Sequence, residues 1–386
     1  MPDINGGSRI RVLVVDDSAV VRQVVQAVLS QESDMVVTVA AHPLIAMEKM
    51  HQARPDVILL DLEMPRMDGL TFLQKIMAED PIPTLICSGV AARGTEMALR
   101  ALDQGAVGIV TKPKLGVHNF LHESALILID MVRSAAKAHV KRRALPPDLI
   151  KRSPIAVRRA ARSSAAAVES IVAIGASTGG TEALTDILTV LPPDSPGIVV
   201  VQHMPELFTS AFAKRLNGLC QIAVKEGVDG DRVERGCAII APGNRHLSVL
   251  RQGGYYHIDI NDGPLVTRHR PSVDVLFRSV ATAAGPNALG IILTGMGNDG
   301  ASGLLDMKRA GSRTIAQDEQ SCVVFGMPKE AISAGAVDSV AALSLIPGLI
   351  LNWAHRGKQE PQARDGSAVG VVNASCSGGD CDIRKR

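Results

Sequence analysis

Short apolar segments alternate with amphipathic segments along the first 131 residues of the chain. The apolar segments are rich in Val and Ile at every position, which predicts strands buried on both faces, and the amphipathic segments predict helices. Five such repeats predict an α/β fold with a flavodoxin-like, doubly wound sheet of five parallel strands. The predicted strands are 11–15, 36–40, 57–60, 84–87 and 107–110, and the predicted helices are 18–29, 43–52, 69–79, 95–104 and 119–132.

A second α/β alternation begins near residue 170. It predicts another doubly wound, mostly parallel sheet with strands at 171–174, 197–202, 237–241 and 289–294. Residues 247–260 alternate around Gly253 and Gly254, which predicts a hairpin. The apolar segment 343–351 together with Trp353 predicts a closing core helix.

The segment between the two units has a different composition. Ten Lys or Arg and one acid lie between residues 133 and 162, and prolines interrupt any long helix there, which predicts a linker. Beyond residue 355 the chain turns to Gly, Ser, Ala and charged residues, which predicts a disordered tail. The sequence thus predicts a first unit at 8–131, a basic linker at 132–168, a second unit at 169–355 and a tail at 356–386.

Composition places the chain among ordinary globular proteins. Of its 386 residues 46% are hydrophobic and 21% are charged, with a net charge of +2. The longest apolar stretch, 340–351, is shorter than the roughly 18 residues that a membrane span needs, so we expect no membrane insertion. The N-terminus lacks the pattern of a secretory signal, and we therefore expect a cytoplasmic protein.

The six cysteines are too few for a disulfide scaffold in a chain of this length. Cys376 and Cys381 lie in the predicted tail without a nearby histidine, so we expect no zinc site there. The other four lie in or beside apolar segments, where free thiols pack as small hydrophobic groups. They are Cys87, Cys220, Cys237 and Cys322.

Acidic residues follow two strands of the first unit. Asp16 and Asp17 follow the first strand and Asp61 follows the third, which is its neighbour in a flavodoxin-like order. Three neighbouring carboxylates repel one another unless a hard cation joins them, and Mg²⁺ suits such an oxygen-rich site. Ser88 and Lys112 follow the fourth and fifth strands. An aspartate surrounded by a metal, a hydroxyl and a lysine can accept a phosphoryl group.

These motifs resemble the response-regulator receiver family over about residues 8 to 130. The resemblance is carried by VVDDS at 14–18, LDLEMPRMDG at 60–69, Ser88 and TKP at 111–113. Ile109 stands where many receivers carry an aromatic switch residue, so we expect no aromatic rotamer switch. The resemblance implies that a partner histidine kinase phosphorylates Asp61, that Asp16, Asp17 and Asp61 hold Mg²⁺, and that Ser88 and Lys112 contact the phosphoryl group.

The second unit opens with a strand, a glycine-rich turn and a helix, IVAIGASTGGTEAL at 171–184. Two interpretations fit this pattern. As a G-x-S-x-G turn, the glycines present Ser177 at a helix N-terminus, where the amides favour developing negative charge. As a dinucleotide-binding loop, the same glycines let a pyrophosphate approach the helix. The motif alone does not decide between them.

The following strand ends favour the serine interpretation. A dinucleotide fold places an acid near the end of its second strand, whereas strand 197–202 ends in His203. Strand 289–294 leads into a glycine-rich loop that carries Asp299. A nucleophile, a base and an orienting acid can therefore meet in one crevice. The order Ser177, His203, Asp299 differs from that of the α/β-hydrolases, so their fold does not transfer.

The second unit is similar to the catalytic part of the chemotaxis response-regulator protein-glutamate methylesterases. The motifs are GASTGG at 175–180, VQHM at 201–204, APG at 241–243 and TGMGNDG at 294–300. With the receiver, the resemblance spans about residues 8 to 350. It implies hydrolysis of glutamate methyl esters on chemoreceptors, and deamidation of selected glutamines. It also implies Ser177 as nucleophile, His203 as base, Asp299 as acid, and oxyanion or supporting roles for Thr178 and Met296, with no cofactor for ester hydrolysis.

The domain order implies that the receiver controls the hydrolase, because phosphorylation adds charge beside an interface. The main alternative is a DNA-binding or other output response regulator that uses the basic linker, and a nucleotide-dependent oxidoreductase is a second one. Few aromatic residues and the lack of a clear helix-turn-helix pattern disfavour DNA binding. We expect a monomer without a nucleic-acid partner. His246 is expected to make a local contact and not to act as a second base.

Overall fold

The computed structural model describes residues 9–64, 67–89, 92–112, 118–142 and 170–356, which form two α/β units. The part of the predicted linker from residue 143 on and the predicted tail from residue 357 on lie outside the described residues, as do Cys376 and Cys381. Among the described residues, no helix combines the length and the hydropathy needed to span a membrane. All four cysteines that fall within these ranges are free and buried, as their apolar neighbours predict.

The first unit is a parallel five-stranded sheet of order β2-β1-β3-β4-β5, which confirms the predicted flavodoxin-like topology. Its strands are apolar runs because helices cover both faces of the sheet; β3, for example, is buried at every position. The strands are Ile10–Val15 (β1), Met35–Ala40 (β2), Val57–Leu60 (β3), Thr84–Ser88 (β4) and Gly108–Thr111 (β5).

Five helices connect and follow these strands. Ser18 caps the first helix by accepting a hydrogen bond from the Val21 amide, and Asp68 caps the third through the Thr71 amide. The last helix continues to Ala136, five residues past the predicted end of the unit at residue 131. The helices are Ala19–Leu29 (α1), Pro43–Gln52 (α2), Gly69–Glu79 (α3), Ala92–Asp103 (α4) and His118–Ala136 (α5).

The second unit contains a parallel seven-stranded sheet. Its strand order is β14-β13-β12-β6-β7-β9-β8, and four of these strands were predicted from the sequence. The three that were not predicted, β8, β13 and β14, lie on the outer positions of the sheet. Strands β8 and β14 are short and partly exposed, whereas β13 is buried at four of five positions but includes the polar residues Thr314 and Gln317, so all three have a weaker apolar pattern. The strands are Ile171–Ala176 (β6), Gly197–Gln202 (β7), Ala223–Glu226 (β8), Cys237–Ile240 (β9), Ala288–Ile292 (β12), Arg313–Gln317 (β13) and Ser339–Ala341 (β14).

The predicted hairpin is present as His246–Gln252 (β10) and Tyr255–Asn261 (β11). Gly253 and Gly254 form its turn with φ of 56° and 84°, values that glycine adopts without strain. The predicted closing helix begins as a 3₁₀ turn at Leu343–Leu345 and continues as α11, where Trp353 packs on the core. The helices of this unit are Gly180–Leu188 (α6), Glu206–Leu219 (α7), Val273–Ala284 (α8), Ala301–Arg309 (α9), Met327–Ser333 (α10) and Ile346–Arg356 (α11).

Candidate active site

Three adjacent strands of the second sheet bring Ser177, His203 and Asp299 to one edge. Ser177 directly follows β6, His203 directly follows β7, and Asp299 lies in the loop between β12 and α9. Since β12, β6 and β7 are neighbours and run parallel, their carboxyl ends open onto the same crevice. The chain also reverses its direction of strand addition between β6 and β12, the point where ligands gather in open α/β sheets.

His203 and Asp299 are directly hydrogen-bonded to each other. His203 Nε2 lies 2.8 Å from Asp299 Oδ2, and both side chains are almost entirely buried. Because a carboxylate only accepts, the ring proton belongs on Nε2. The other ring nitrogen, Nδ1, is buried and has no hydrogen-bond partner among the described residues. Its lone pair is therefore available to receive a proton, and Ser177 and His203 line the same cavity.

The N-terminus of α8 holds the Asp299 carboxylate in place. Ser272 Oγ donates to Oδ1 at 2.7 Å, the Val273 amide donates to Oδ2 at 2.8 Å, and the Asp274 amide donates to Oδ1 at 3.1 Å. Burial alone raises the pKa of Asp299, but the hydrogen bonds from His203, Ser272 and Val273 outweigh this effect and hold its pKa well below the ordinary value. Asp299 is thus a fixed anion beside His203.

Ser272 is itself anchored by His246. The Ser272 amide donates to His246 Nδ1 at 3.2 Å, and His246 Nε2 donates to the Pro264 carbonyl at 2.8 Å. Both ring nitrogens of this buried histidine are therefore occupied, which agrees with the predicted structural role for His246. The contact extends the hydrogen-bonded chain from His203 through Asp299 and Ser272 to the start of the hairpin.

Close backbone approaches shape the turn that carries Ser177. Gly179 adopts φ of 77° at the start of α6, a conformation that strains other residues. A β-carbon on Gly295 would lie 2.7 Å from Ser177 Cβ, so only glycine fits at this position. The buried Gln202 side chain ties the turn to the base, because its Nε2 donates to the carbonyls of Ser177 at 2.9 Å and His203 at 3.1 Å.

A second histidine lies on the face of the His203 ring. The rings of His203 and His269 are parallel, with an interplanar angle of 6° and centroids 3.8 Å apart. Ligand atoms of His203, His269 and Asp299 lie within 4.8 Å of one another, a spacing that raises the question of a metal site. Lone pairs of two parallel stacked rings lie in separate planes and do not converge on one ion, so this donor set does not fit a shared metal.

The first unit covers the nucleophile turn. Ser134 Oγ of α5 is hydrogen-bonded to Thr178 Oγ1 at 2.8 Å, and the Gly179 amide donates to the Val107 carbonyl at 3.2 Å. Between the two units a cavity of about 20 Å³ remains. Ile109 of β5, the predicted departure from the aromatic switch, lines this cavity together with Ser177. A volume of this size holds about one water molecule.

Two ion pairs lie at the contact between the units. Arg268 Nη1 is 3.2 Å from Asp130 Oδ2 of α5, and Arg215 Nη2 of α7 is 2.5 Å from Asp103 Oδ2 of α4. Met296 lies half-buried in the loop that follows β12. Of the residues predicted at this site, Thr178 is the one whose side chain bonds directly to the first unit.

The acidic residues of the first unit also converge. Ligand atoms of Asp16, Asp17 and Asp61 lie within 4.8 Å of one another at the carboxyl ends of β1 and β3. Lys112 Nζ is 2.6 Å from Asp61 Oδ2 and 3.1 Å from Asp16 Oδ2. Burial raises the pKa of Asp61, and the negative charge of Asp16 raises it further, whereas Lys112 lowers it; the net effect is a raised pKa. Ser88 Oγ donates to the Gly89 carbonyl at 3.2 Å in this state.

Comparisons with known proteins agree with this geometry. Residues 172–350 match the CheB methylesterase family, and residues 12–120 match the response regulator receiver domain family. The chain is 56% identical over 347 residues to protein-glutamate methylesterase/protein-glutamine glutaminase 5 of Anaeromyxobacter dehalogenans, covering 89% of this chain and 96% of that protein. It is 57% identical over 339 residues to protein-glutamate methylesterase/protein-glutamine glutaminase 1 of Xanthomonas oryzae pv. oryzae, covering 86% of this chain and 97% of that protein. The chain belongs to the CheB methylesterase family.

The solved catalytic domain of Thermotoga maritima CheB methylesterase is 39% identical to this chain; the match covers 48% of this chain and 98% of that domain, with a TM-score of 0.47. Family membership confirms the resemblance that the motifs predicted. It also makes the oxidoreductase alternative wrong, since the glycine turn at Ser177 lies within the methylesterase match. The DNA-binding alternative rested on the linker, which lies mainly outside the described residues.

Sequence reasoning missed three residues that contact Ser177, His203 or Asp299: Gln202, His269 and Ser272. Ser272 had a local signal, because a serine before an apolar helical run is a favoured N-cap. Gln202 had a weaker one, as a polar residue ending a strand that is otherwise apolar. His269 had none, since its stacking on His203 joins positions 66 residues apart in sequence (269 minus 203).

Proposed function

We propose that the protein hydrolyses glutamate methyl esters on chemoreceptors by a Ser-His-Asp mechanism, and deamidates selected glutamines at the same site, during chemotaxis adaptation. Ser177 is the nucleophile, His203 the base and Asp299 the orienting acid. The observation that carries the assignment is the orientation of the His203 ring, whose Nε2 is hydrogen-bonded to Asp299 while Nδ1 has no partner within the part of the chain that the structure describes.

In the first step Ser177 Oγ attacks the ester carbonyl carbon while its proton passes to His203 Nδ1. The tetrahedral intermediate expels the alcohol oxygen, which takes that proton and leaves as methanol. Water then attacks the acyl-serine, again losing a proton to His203, and collapse releases the glutamate carboxylate and restores Ser177. Asp299 remains ionised throughout and stabilises the imidazolium. A glutamine substrate follows the same steps and releases ammonia.

Backbone amides next to the nucleophile supply the oxyanion site in this proposal. The Gly295 amide already donates to the Val324 carbonyl, so the following amides of the loop, beginning with Met296, are the candidates on that side. On the other side, Thr178 and Gly179 begin the N-terminus of α6, where unpaired amides favour negative charge. The receiver carbonyl of Val107 occupies the Gly179 amide in this structure, in the manner of a substrate carbonyl.

In the receiver, Asp61 accepts a phosphoryl group from a histidine kinase. Asp16, Asp17 and Asp61 fit a hard divalent cation, since three carboxylates this close repel one another and Lys112 alone supplies one positive charge. Mg²⁺ bound there would neutralise the charge of the incoming phosphoryl oxygens. Lys112 already contacts the acceptor carboxylate, and Ser88 lies at the neighbouring strand end, where its hydroxyl is positioned to exchange the Gly89 carbonyl for a phosphoryl oxygen.

Phosphorylation releases the hydrolase in this proposal. The receiver bonds to both Thr178 and Gly179 on the nucleophile turn and leaves room for about one water molecule beside Ser177, which is too small for a glutamyl methyl ester. The added phosphate charge favours a second packing in which these contacts are lost. In the same proposal the receiver spans residues 8–131, and the basic linker at 132–168 tethers it to the catalytic unit at 169–355. A tail follows at 356–386.

We place the reaction in the cytoplasm, where the receptor helices and the kinase meet, and the buried free thiols agree with a reducing compartment. The proposal needs one copy of the chain, because receiver and hydrolase contact each other within it. It involves no nucleic acid and no insertion into a membrane.

The test uses a serine-directed fluorophosphonate and methanol release from methyl-esterified receptor membranes. We expect Ser177→Ala to lose both labelling and methanol release, whereas Asp61→Ala loses only the increase caused by Mg²⁺ with a small phosphodonor. Ser195→Ala is the matched control, because Ser195 is equally buried but bonds to the Pro192 carbonyl away from the site. Methanol release that persists in Ser177→Ala would contradict the assignment, and an unchanged rate despite confirmed Asp61 phosphorylation would contradict the gating.

A further inference from the structure

We propose that His269 is a positioning residue for the reaction, whose flat ring fixes the plane of the His203 imidazole so that Nδ1 points at the nucleophile. The inference rests on the proposed function and adds to it a residue outside the Ser-His-Asp set.

The need for such a contact follows from the hydrogen bonding of His203. One bond, from Nε2 to Asp299 Oδ2, holds one atom of the ring. The covalent Cβ–Cγ bond holds the opposite side of the ring, so rotation about that bond remains open, and this rotation swings Nδ1 along an arc. Nδ1 has no partner of its own among the described residues that would stop this motion. The parallel ring of His269, 3.8 Å away, is the contact that opposes the rotation.

His269 is well fixed for this role. Its amide and carbonyl exchange hydrogen bonds with those of Val266 at 2.9 and 3.1 Å, which closes a tight turn. The two residues between them, Thr267 and Arg268, have φ of 48° and 66°, as turns of this kind require. Within the turn, His269 Nδ1 donates to the Thr267 carbonyl at 2.7 Å, so the ring orientation is set by its own backbone.

The ring also remains uncharged while His203 carries the proton. Burial, and then the neighbouring His203, lower the pKa of His269 to about 3. The other charged groups that face it are Asp299, which raises this pKa, and Arg268, which lowers it further. A neutral ring therefore lies on the face of the imidazolium at neutral pH, and no second positive charge opposes its formation.

The experiment compares His269→Phe, which keeps a flat ring, with His269→Leu, which does not, in the full chain. Methanol release gives kcat and KM, the fluorophosphonate gives the reactivity of Ser177, and the fluorescence of Trp353 reports whether the catalytic unit is folded. His257→Leu serves as the matched control, because His257 lies on the hairpin, where its Nδ1 contacts the Gly230 carbonyl at 3.4 Å. If His269→Leu does not fold, His269→Asn replaces it with the same expectation.

We expect His269→Leu to lower kcat and the labelling rate by about tenfold to a hundredfold with KM unchanged, as small misplacements of a reacting group do. His269→Phe should keep kcat within about threefold of wild type. The decrease of kcat at acidic pH should also remain as in wild type. Three results would each overturn the inference. They are a wild-type kcat in His269→Leu, a loss of kcat in His269→Phe as large as in His269→Leu, and the absence of the decrease of kcat at acidic pH in His269→Phe. Ser177→Ala is measured in parallel: if it retains activity the proposed function fails, and if it is inactive while His269→Leu is unaffected, only this inference fails.

Discussion

Removal of the Ser272 hydroxyl tests how the Asp299 carboxylate is held in place. Ser272 is fully buried and donates to Asp299 Oδ1 at 2.7 Å. Ser272→Ala removes one of three donors that bind the carboxylate from α8 and its N-cap, and leaves the amides of Val273 and Asp274. Because a hydrogen bond to a charged group contributes about 1.5–3 kcal/mol, we expect the catalytic unit to lose about 2 kcal/mol of stability at neutral pH. The N-cap bond of Ser272 to α8 is 3.5 Å long and adds little.

The loss should also depend on pH in a defined direction. The pKa of Asp299 is lower in the folded protein than in the unfolded chain, so its contribution to stability is complete above the unfolded value of about 3.9. That contribution disappears as the pH falls from there toward the folded value. Since Ser272→Ala raises the folded pKa of Asp299, the stability difference from wild type should stay constant between about pH 8 and 5 and narrow below about pH 4.

Trp353 makes the measurement specific. It is the only tryptophan of the chain and lies in α11 of the catalytic unit, so its fluorescence during urea unfolding follows that unit alone. Ser279→Ala is the matched control on the same helix: its hydroxyl donates to the Leu276 carbonyl and accepts from the Val249 amide, both neutral groups. We expect that variant to lose about 1 kcal/mol with no change in pH dependence. Equal losses in the two variants, without narrowing at low pH, would refute the argument that Ser272 acts through the charge of Asp299.

Two further predictions concern the contacts around the site. Asp130→Asn removes the exposed ion pair with Arg268, and because such pairs contribute up to about 1 kcal/mol, the rate of methanol release without phosphodonor should rise by up to about fivefold. The control Asp56→Asn, which removes an exposed pair away from the contact between the units, should leave this rate unchanged. An unaltered or lower rate in Asp130→Asn would contradict the role of this pair in holding the two units together. Gln202→Leu leaves the carbonyls of the nucleophile and the base without their shared amide donor, so Trp353 fluorescence should show a loss of about 1–3 kcal/mol and kcat should fall; a variant as stable and active as wild type would show that this amide does not hold the turn.

The receiver and the central strands of the catalytic unit follow from the pattern of apolar residues alone. Apolar runs such as β3 and β6 are buried on both faces, as their composition predicts, and the residue after a parallel strand must lie at the carboxyl edge. For this reason the sequence pattern alone places Asp61, Ser177 and His203 directly after strands, where the structure has them. The outer strands β8 and β14 were not predicted because they are short and partly exposed, and β13 was not predicted because its buried positions include the polar residues Thr314 and Gln317.

How these groups face one another depends on the packing of the folded chain. Which nitrogen of His203 meets Asp299, the anchoring of Asp299 by Ser272, and the stacking of His269 depend on side-chain directions that no local pattern encodes. The same holds for the receiver contacts at Thr178 and Gly179, which join surfaces from two separately folded sheets. Strand periodicity fixes where a residue lies along its own element, whereas contacts between elements far apart in sequence depend on the packing of the whole chain.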